Sequence, residues 1–283
     1  MLAPLTRAYL QTALADFNAA ADLIRHLEFM GPVGNVRYVH HTGVDGAGGG
    51  LTPELPFATI DFGIGYLRAN KGDVMIVLPG HAESVSGDID VDVAGITIIG
   101  MGVGESRPVV TFITNTTAKI DVDAANCRIS NLVLKNDIDS QAVVIDVDGA
   151  GVVLDNLELL EGSSKQFLVG IDLAEDRAVV RNCYIKSVAV GANSGIKISA
   201  AKDRITIRDC RIFGDFADAC IHNPTSAVAT SLVIEGNRLT NLQSGDHAIE
   251  LVSACTGEIN FNIVNSTMAA VGTKGAIDPG SCY

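Results

Sequence analysis

The sequence lacks tryptophan and has few other aromatic residues, at 5% of 283 residues. Only five tyrosines occur, and they are scattered: Tyr9, Tyr38, Tyr66, Tyr184 and Tyr283. Aromatic rings give a binding site large and rigid apolar faces, and long polysaccharide grooves use such faces to stack on sugars. Their scarcity argues against a carbohydrate-processing enzyme.

Positive charge is also scarce. The chain has 20 Lys and Arg against 33 Asp and Glu, for a formal net charge of −13. Nucleic acids and anionic membranes select basic patches, so neither is an expected partner. No apolar run approaches the length of a membrane-spanning helix. No apolar signal segment precedes Asp16, so a cleaved secretion signal is not expected either.

The six cysteines include no Cys-x-x-Cys pair, so a zinc site is not expected. Cys183 and Cys210 occupy equivalent places in adjacent repeats, about one strand spacing (~4.8 Å) apart. A disulfide between them is geometrically conceivable. The favoured interpretation is that the thiols are free and buried as small apolar groups, which fits folding in a reducing cytoplasm.

What the sequence does contain is a recurring phrase. Ile-Asp-Val-Asp occurs at 89–92, 120–123 and 145–148, and degenerate copies follow it. The isoleucines in register are Ile89, Ile120, Ile145, Ile171, Ile196, Ile221, Ile249 and Ile277. A repeat of about 25–31 residues is typical of a solenoid, in which each unit stacks on its neighbours.

The repeating unit is a strand, because apolar and polar residues alternate with a period of two. A second ladder runs in phase with the first and consists of Asn131, Asn156, Asn182, Asp209 and Gly236. Asn, Asp and Gly tolerate left-handed backbone angles, so this ladder predicts a repeating corner. Two or three short strands and a corner per repeat predict an all-β parallel β-helix of about eight coils.

The first 72 residues depart from this repeat. An amphipathic helix is expected over 5–28, with an apolar stripe formed by Leu10, Leu14, Phe17, Ala21, Ile24 and Leu27. It belongs to an N-terminal segment, 1–33, that either caps the solenoid or docks on sister chains or an anchoring partner. The β-helix domain is expected over 34–283. It includes a capping segment, 51–72, with a helix over 56–68 that protects the first coil.

The isoleucine register also places acidic residues on the outside. If the isoleucines point inward, two columns of carboxylates point outward: Asp90, Asp121, Asp146 and Asp172, and then Asp92, Asp123 and Asp148. Unit charges ~5 Å apart repel by ~0.8 kcal/mol in water. Three interpretations stay open: screening by water and salt, bound Ca²⁺, or basic residues of a neighbouring chain. Lys197 supplies one internal counter-charge, and no other cofactor is expected.

The chain also resembles a known group. Its coil length, its Asn/Asp corner and its opening phrase, Thr-Pro-Glu-Leu-Pro-Phe-Ala-Thr-Ile at 52–60, resemble right-handed β-helix proteins of the pectate-lyase-like superfamily. Many such domains in phage tail and virion proteins begin in this way. The resemblance covers roughly residues 34–283 and implies the fold, since both enzymes and inert scaffolds use it.

The enzymatic interpretation can be compared with the residues. Pectate lyases join calcium-binding carboxylates to a catalytic Arg or Lys on one face, whereas here Arg181 and Arg208 lie on a different strand from the acidic ladder. His81 and Glu83 form a potential acid/base pair, with no nucleophile or metal set beside them in the sequence. The alternatives left open are a polysaccharide lyase or depolymerase and a surface-binding module.

The resemblance therefore implies a non-enzymatic structural component of a bacteriophage virion, made in the host cytoplasm. Head decoration or cement is placed first, and a tail or fibre component second. The expected partners are other virion proteins and further copies of the chain, with a trimer favoured.

Overall fold

The protein is built from three columns of parallel strands that wind around one apolar core. The computed structural model describes residues 34–199, 201–224, 228–244, 246–251, 254–266 and 277–278. From residue 74 onward each coil passes through all three columns, and every strand pairing between coils is parallel. The predicted parallel β-helix is confirmed, with about seven turns.

Column 1 is a separate nine-stranded sheet. Numbered in chain order with the strands of the other columns, its members are β1 (Val36–Val39), β2 (Val74–Val77), β5 (Thr97–Gly100), β8 (Arg128–Ser130), β11 (Val153–Asp155), β14 (Val179–Arg181), β16 (Thr206–Arg208), β18 (Leu232–Glu235) and β21 (Gly257–Asn260).

Columns 2 and 3 belong to one 14-stranded sheet. Column 2 contains β3 (Ala82–Val85), β6 (Val109–Phe112), β9 (Val133–Asn136), β12 (Glu158–Glu161), β19 (Arg238–Asn241) and β22 (Ile263–Ser266). Column 3 contains β4 (Ile89–Asp90), β7 (Ile120–Val122), β10 (Gln141–Val147), β13 (Phe167–Leu173), β20 (His247–Glu250) and β23 (Ile277–Asp278). Two long strands, β15 (Tyr184–Ile198) and β17 (Arg211–His222), run from column 2 into column 3.

The predicted isoleucine ladder is confirmed in every step. Ile89 pairs with Ile120, which pairs with Ile145, and the register continues through Ile171, Ile196, Ile221, Ile249 and Ile277. The seven whose side chains the structure describes are at most 2% exposed. Eight stacked strands are separated by seven steps from one strand to the next. The structure therefore has about seven turns, whereas the sequence predicts about eight coils. The ladder lies in one continuous hydrophobic core.

The predicted corner is confirmed as well. Asn131, Asn156, Asn182, Asp209 and Gly236 all have positive φ, between 54° and 66°. They join column 1 to column 2, where the chain must turn within two residues. A second left-handed corner joins column 3 to column 1, and no single residue type recurs through it: Gly95, Asn126, Gly151, Arg177, Arg204 and Ser231.

The capping segment differs from its prediction. The helix expected over 56–68 is wrong in extent, because only α1 (Ile60–Ile64) is helical in that segment. A 3₁₀ turn follows later in the chain, at Gly104–Ser106. Gly63 packs so closely that a Cβ would lie 2.9 Å from Met75 Cε. Phe57, Ile60 and Ile64 are nevertheless buried over the first coil, so the segment closes this end of the core.

The N-terminal helix expected over 5–28 lies outside the described residues, and so do its interface residues Leu10, Leu14, Phe17, Ile24 and Leu27. Among the helices that the structure describes, none is long and apolar enough to cross a membrane.

The five described cysteines are buried: Cys127, Cys183, Cys210, Cys220 and Cys255. The first four of them are free thiols. The conceivable Cys183–Cys210 disulfide is not formed. Instead, each of these two thiols donates to a backbone carbonyl two residues earlier, at 3.2 Å. A hydrogen bond with the Cys183 thiol, and then burial, raises the pKa of Cys210 well above its usual value. The thiols therefore act as small core residues.

Candidate functional site

The predicted carboxylates form an outward strip along column 3. Asp90, Asp121, Asp146 and Asp172 occupy equivalent positions on four successive strands, as the isoleucine register requires. Asp88 joins them, which the sequence does not predict. The acidic strip is defined here as the seven residues Asp88, Asp90, Asp92, Asp121, Asp123, Asp146 and Asp148; Asp121 and Asp146 are half-buried and the others exposed.

The strip contains two tight groups of oxygens. Carboxylate oxygens of Asp88, Asp90 and Asp121 lie within 4.8 Å of one another, and so do those of Asp121, Asp146 and Asp148. Asp121 belongs to both groups, and one of its oxygens, Oδ1, is buried without a hydrogen-bond partner among the described residues. Oxygen groups of this kind suit a hard cation such as Ca²⁺.

Lys119 lies inside the strip and neutralises part of it. Its Nζ is 2.8 Å from Asp146 Oδ2 and 2.9 Å from Asp121 Oδ2. Burial lowers the pKa of Lys119, but the hydrogen bonds that it donates to Asp146 and Asp121 raise that pKa above its ordinary value overall. Sequence reasoning missed this residue, although its place directly before Ile120 puts it beside the acidic phrase.

Two members of the acidic strip have pKa values above the ordinary value of an aspartate. Burial, and then the charges of Asp61 and Asp88, raises the pKa of Asp90. Burial, and then the charges of Asp146 and Asp121, raises the pKa of Asp148, which Lys119 only partly offsets. The strip is therefore an unfavourable arrangement in the isolated chain.

Asp172 stands apart from the strip. Its oxygens accept hydrogen bonds from Lys197 Nζ at 3.4 Å and from the Ser199 hydroxyl. Lys197 is the next residue in the column, as the sequence predicts. Only 9% of Asp172 is exposed. It is already satisfied by its neighbours and is a poor cation ligand.

The arginines lie elsewhere. Arg128, Asp155 and Arg181 follow one another on column 1, and both guanidinium groups contact Asp155 Oδ2, at 2.6 and 2.9 Å. Burial opposes ionisation of Asp155, but hydrogen bonds from Arg181 and Asn182 and the charge of Arg128 lower its pKa overall. Arg208 pairs in register with Arg181 on the same column. The expected separation of the Arg181/Arg208 stack from the acidic ladder is therefore confirmed, since the two occupy different columns.

The turn with His81 and Glu83 is a second place where titratable groups meet. His81 Nε2 lies 3.1 Å from Glu83 Oε2, and both residues are buried. Glu83 Oε2 also accepts the backbone N–H of Ile60, at the start of α1. The pair therefore connects the capping segment to the first coil. This structural contact explains why a histidine and a glutamate are buried in this turn.

Sequence reasoning missed two partners of His81. The rings of His40 and His41 lie 6.3 and 6.1 Å from the His81 ring, between centroids. Burial, and then the neighbouring His41 and His81, lowers the pKa of His40. A cavity of about 790 Å³ opens beside His40 and is lined by the glycine-rich loop, Leu55, Leu78 and Pro79.

A basic strip on column 2 is the third feature, and nothing in the repeat phrase predicts it. We define the basic strip as Lys135 on β9, Lys186 on β15, Arg211 on β17 and Arg238 on β19. Lys135, Arg211 and Arg238 are exposed and Lys186 is half-buried. The guanidinium carbon of Arg211 lies 5.1 Å from the centre of the Tyr184 ring. None of the four forms an ion pair with any residue that the structure describes.

Comparisons with known proteins add little to this geometry. No protein-family model matches the chain, and no curated protein matches it either. Among solved structures, the chain is similar to ORF18 of Geobacillus virus E2, with 10% identity and a TM-score of 0.38. The likeness covers 90% of this chain and 63% of that one, so the chain spans less than two thirds of the phage protein. A likeness this weak carries no functional argument.

Proposed function

We propose that the protein is a non-enzymatic structural component of a bacteriophage virion. Head decoration or cement is the first assignment, and a tail or fibre component the second. Support comes from the opening phrase and the corner ladder, which resemble those of virion β-helix proteins, together with the confirmed fold. A solenoid with one continuous core and a cap over its first coil is a rigid spacer, as a particle component requires.

One observation carries the non-enzymatic part of the proposal. A lyase of this fold would need a cationic base facing its carboxylates, but here Arg128 and Arg181 bind Asp155 on column 1. Within the described part of the chain, the cation that contacts the acidic strip is Lys119, and its ammonium is bound by two carboxylates that hold it protonated. A protonated amine cannot act as a base. Lys119, Arg128 and Arg181 are therefore held in ion pairs between coils.

The proposal includes partners and a location. The chain would assemble with further copies of itself and with other virion proteins, through residues 1–33 and the outer faces of the solenoid. It would be made in the host cytoplasm and carried in the virion. Deleting residues 1–30 should leave a folded β-helix that no longer attaches to particles, and attachment at the normal level would remove the anchoring role.

The deciding experiment is to locate the protein in purified particles. Mass spectrometry of gradient-purified virions should detect it at a fixed copy number, and gold-labelled antibody should mark either the head or the tail. Absence from intact virions would overturn the proposal. The competing function, a polysaccharide lyase or depolymerase, is tested by incubating the protein with acidic polysaccharides. Release of unsaturated or shortened products would replace the structural assignment with the enzymatic one.

A further inference from the structure

The outer face of column 1 changes character after its third strand. Tyr38, Ile76 and Ile99 pair in register on β1, β2 and β5, and all three are half-buried. The same row continues over the next five strands with polar or charged residues: Ser130, Asp155, Arg181, Arg208 and Glu235. The first three coils therefore have an apolar outer surface where the later coils have a polar one.

Strand alternation fixes the outward direction of this row. Met75 and Ile98, which directly precede Ile76 and Ile99, are at most 2% exposed and belong to the core. Neighbouring residues of a strand face opposite sides of its sheet, so Ile76 and Ile99 face outward. Strand β2 is part of a continuous apolar run over 74–78, a pattern that is typical of parallel strands covered on both faces. The outer side of the first coils therefore has the composition of a covered surface.

The apolar row leads into the cavity beside His40. Leu78 follows β2 directly and lines this cavity together with Val44 and Leu55. Val44 and Leu55 are 75% and 66% exposed. Apart from His40, Glu54 is the only acidic or basic residue among the described residues that line the cavity. The row and the cavity wall together are the apolar surface, defined here as Tyr38, Ile76, Leu78, Ile99, Val44 and Leu55.

We propose that residues 5–28 of the same chain cover the apolar surface, with the apolar stripe of the helix predicted there packed against it. The contact removes the stripe and the surface from water together, which is favourable for both. The inference goes beyond the proposed function, because it assigns the stripe from Leu10 to Leu27 to the chain's own solenoid. Contacts with other virion proteins would then use the polar side of this segment and the remaining faces of the solenoid.

The point where the chain enters the solenoid favours this occupant. Gly34 is fixed at the start of β1, where its backbone N–H donates to the carbonyl of Gly72 at 3.0 Å. Tyr38, in the first strand of the apolar surface, follows only four residues later. The connecting residues 29–33 reach at most ~18 Å when extended. A segment held this close has an effective concentration in the millimolar range, so the same segment of a second copy competes poorly for the surface.

The size of the apolar surface sets the direction of the helix. Leu10 and Leu27 are 17 positions apart in the sequence, which corresponds to ~26 Å along a helix. Down the solenoid axis the apolar row has three strands, which span only ~10 Å before Ser130 begins the polar part. Along the strands, the surface runs from Val36 for ~13 Å to His40 and then continues as the cavity wall. The helix therefore lies along the strands and not down the axis of the solenoid.

Limited proteolysis of the full chain tests this packing. Trypsin cleaves after Arg25, and packing on the solenoid should protect that bond, because cleavage requires the segment to open locally. Ile76→Lys/Ile99→Lys places two charges in the apolar surface and should raise the cleavage rate at Arg25 at least about tenfold, as measured by mass spectrometry. Leu14→Asp/Phe17→Asp leaves the solenoid unchanged and should raise the rate as well. The two pairs combined should add little, because both remove the same contact.

Val179→Lys is the matched control, since Val179 is an outward, half-buried residue of column 1 outside the apolar surface. It should leave cleavage at Arg25 unchanged, and circular dichroism should show native strand content in every variant. Protection of the wild type should be the same at ~1 and ~100 µM protein, because the contact lies within one chain.

Three results would overturn the inference. The first is rapid cleavage at Arg25 in the wild type, and the second is an equal rate in the wild type and Ile76→Lys/Ile99→Lys. The third is protection that disappears on dilution, because a second copy would then supply the helix. Detection in virions is measured separately, so failure of this packing and failure of the proposed function are distinguishable.

Discussion

Lys119 Nζ lies 2.8 Å from Asp146 Oδ2, although the two residues are 27 positions apart. They meet because one turn of the solenoid brings each coil over the one before it, and the same ammonium also reaches Asp121, two residues further along its own coil. A stack of like charges would oppose this pairing of coils. Lys119 is therefore a counter-ion for the acidic strip that the chain itself supplies.

Replacing Lys119 with methionine should lower the free energy of unfolding by about 1 kcal/mol, because each exposed ion pair contributes ~0.2–1 kcal/mol and this ammonium makes two. The raised pKa of Lys119 means that the effect is complete at neutral pH. It should disappear only as the pH rises above the ordinary lysine value of 10.5 and through the higher folded value. Chemical denaturation at several pH values measures it.

Lys71→Met is the matched control, since Lys71 is exposed and has no ion pair among the described residues. Adding Asp146→Asn to Lys119→Met should recover part of the lost stability, because it removes one of the unneutralised charges. Equal losses in Lys119→Met and Lys71→Met would show that the bridge between coils contributes nothing.

The raised pKa values of Asp90 and Asp148 predict a second effect with the opposite sign. Both groups cost stability when ionised, so Asp90→Asn/Asp148→Asn should raise the melting temperature at neutral pH by roughly 1–3 °C. The gain should shrink as the pH falls through the raised folded values. It should vanish below the ordinary value of 3.8, where both carboxyls are protonated even in the unfolded chain. Asp139→Asn, an exposed site outside the strip, should show no such pH-dependent gain.

Calcium binding by the acidic strip stays a prediction. The structure limits the candidate sites to the two groups of carboxylate oxygens that share Asp121. Millimolar Ca²⁺ should raise the melting temperature, and Asp121→Asn/Asp146→Asn should abolish the rise, because Asp121 contributes to both oxygen groups. Asp172→Asn should retain the rise, since Lys197 and Ser199 already occupy its oxygens. A melting temperature indifferent to Ca²⁺ would leave solvent or a protein partner as the screening agent.

The parts of the fold that the sequence predicts are those that every coil repeats. Ile171 is stacked between Ile145 and Ile196, and the equivalent position in every other coil has equivalent neighbours. The same residue type therefore recurs at this position, and the recurrence reveals the register. The corner with Asn156 is visible for the same reason, because its positive φ restricts the residue type.

The unpredicted parts depend on single coils or on the outer surface. Arg177 and Arg204 occupy a left-handed corner where other coils carry Gly, Asn or Ser, so no single residue type marks it in the sequence. The residues of the basic strip do not recur from coil to coil. The register position of Arg211, for example, is occupied by Val133, Glu158 and Ile263 in other coils. Outer positions are free to vary, and only the strand pairing shows which of them lie side by side.

The Asn corner yields a prediction about backbone strain. Asn156 has φ of 54°, and its Nδ2 donates to Asn131 Oδ1 at 3.0 Å. Asn156→Val should cost about 2 kcal/mol or more, because a β-branched residue is strained there and the hydrogen bond is lost. Asn156→Gly loses the same bond without the strain and should cost less than about 1 kcal/mol. Equal costs in urea denaturation would mean that the bond, and not the backbone, decides this position.

Ile171 tests the register of the whole solenoid. Its side chain is fully buried and stacked between Ile145 and Ile196, so Ile171→Asp would place a charge in the core without a partner. The cost should exceed about 4 kcal/mol, enough to abolish the cooperative melting transition or move it below physiological temperature. Ile171→Val removes one methylene and should cost only about 0.5–1.5 kcal/mol. Val190→Asp changes an apolar residue that is 78% exposed and should leave the transition almost unchanged. Because one aspartate would lie in the core and the other in solvent, an Ile171→Asp protein that melts like Val190→Asp would contradict the inward ladder. The outward orientation of the acidic strip depends on the same register, so it would be contradicted as well.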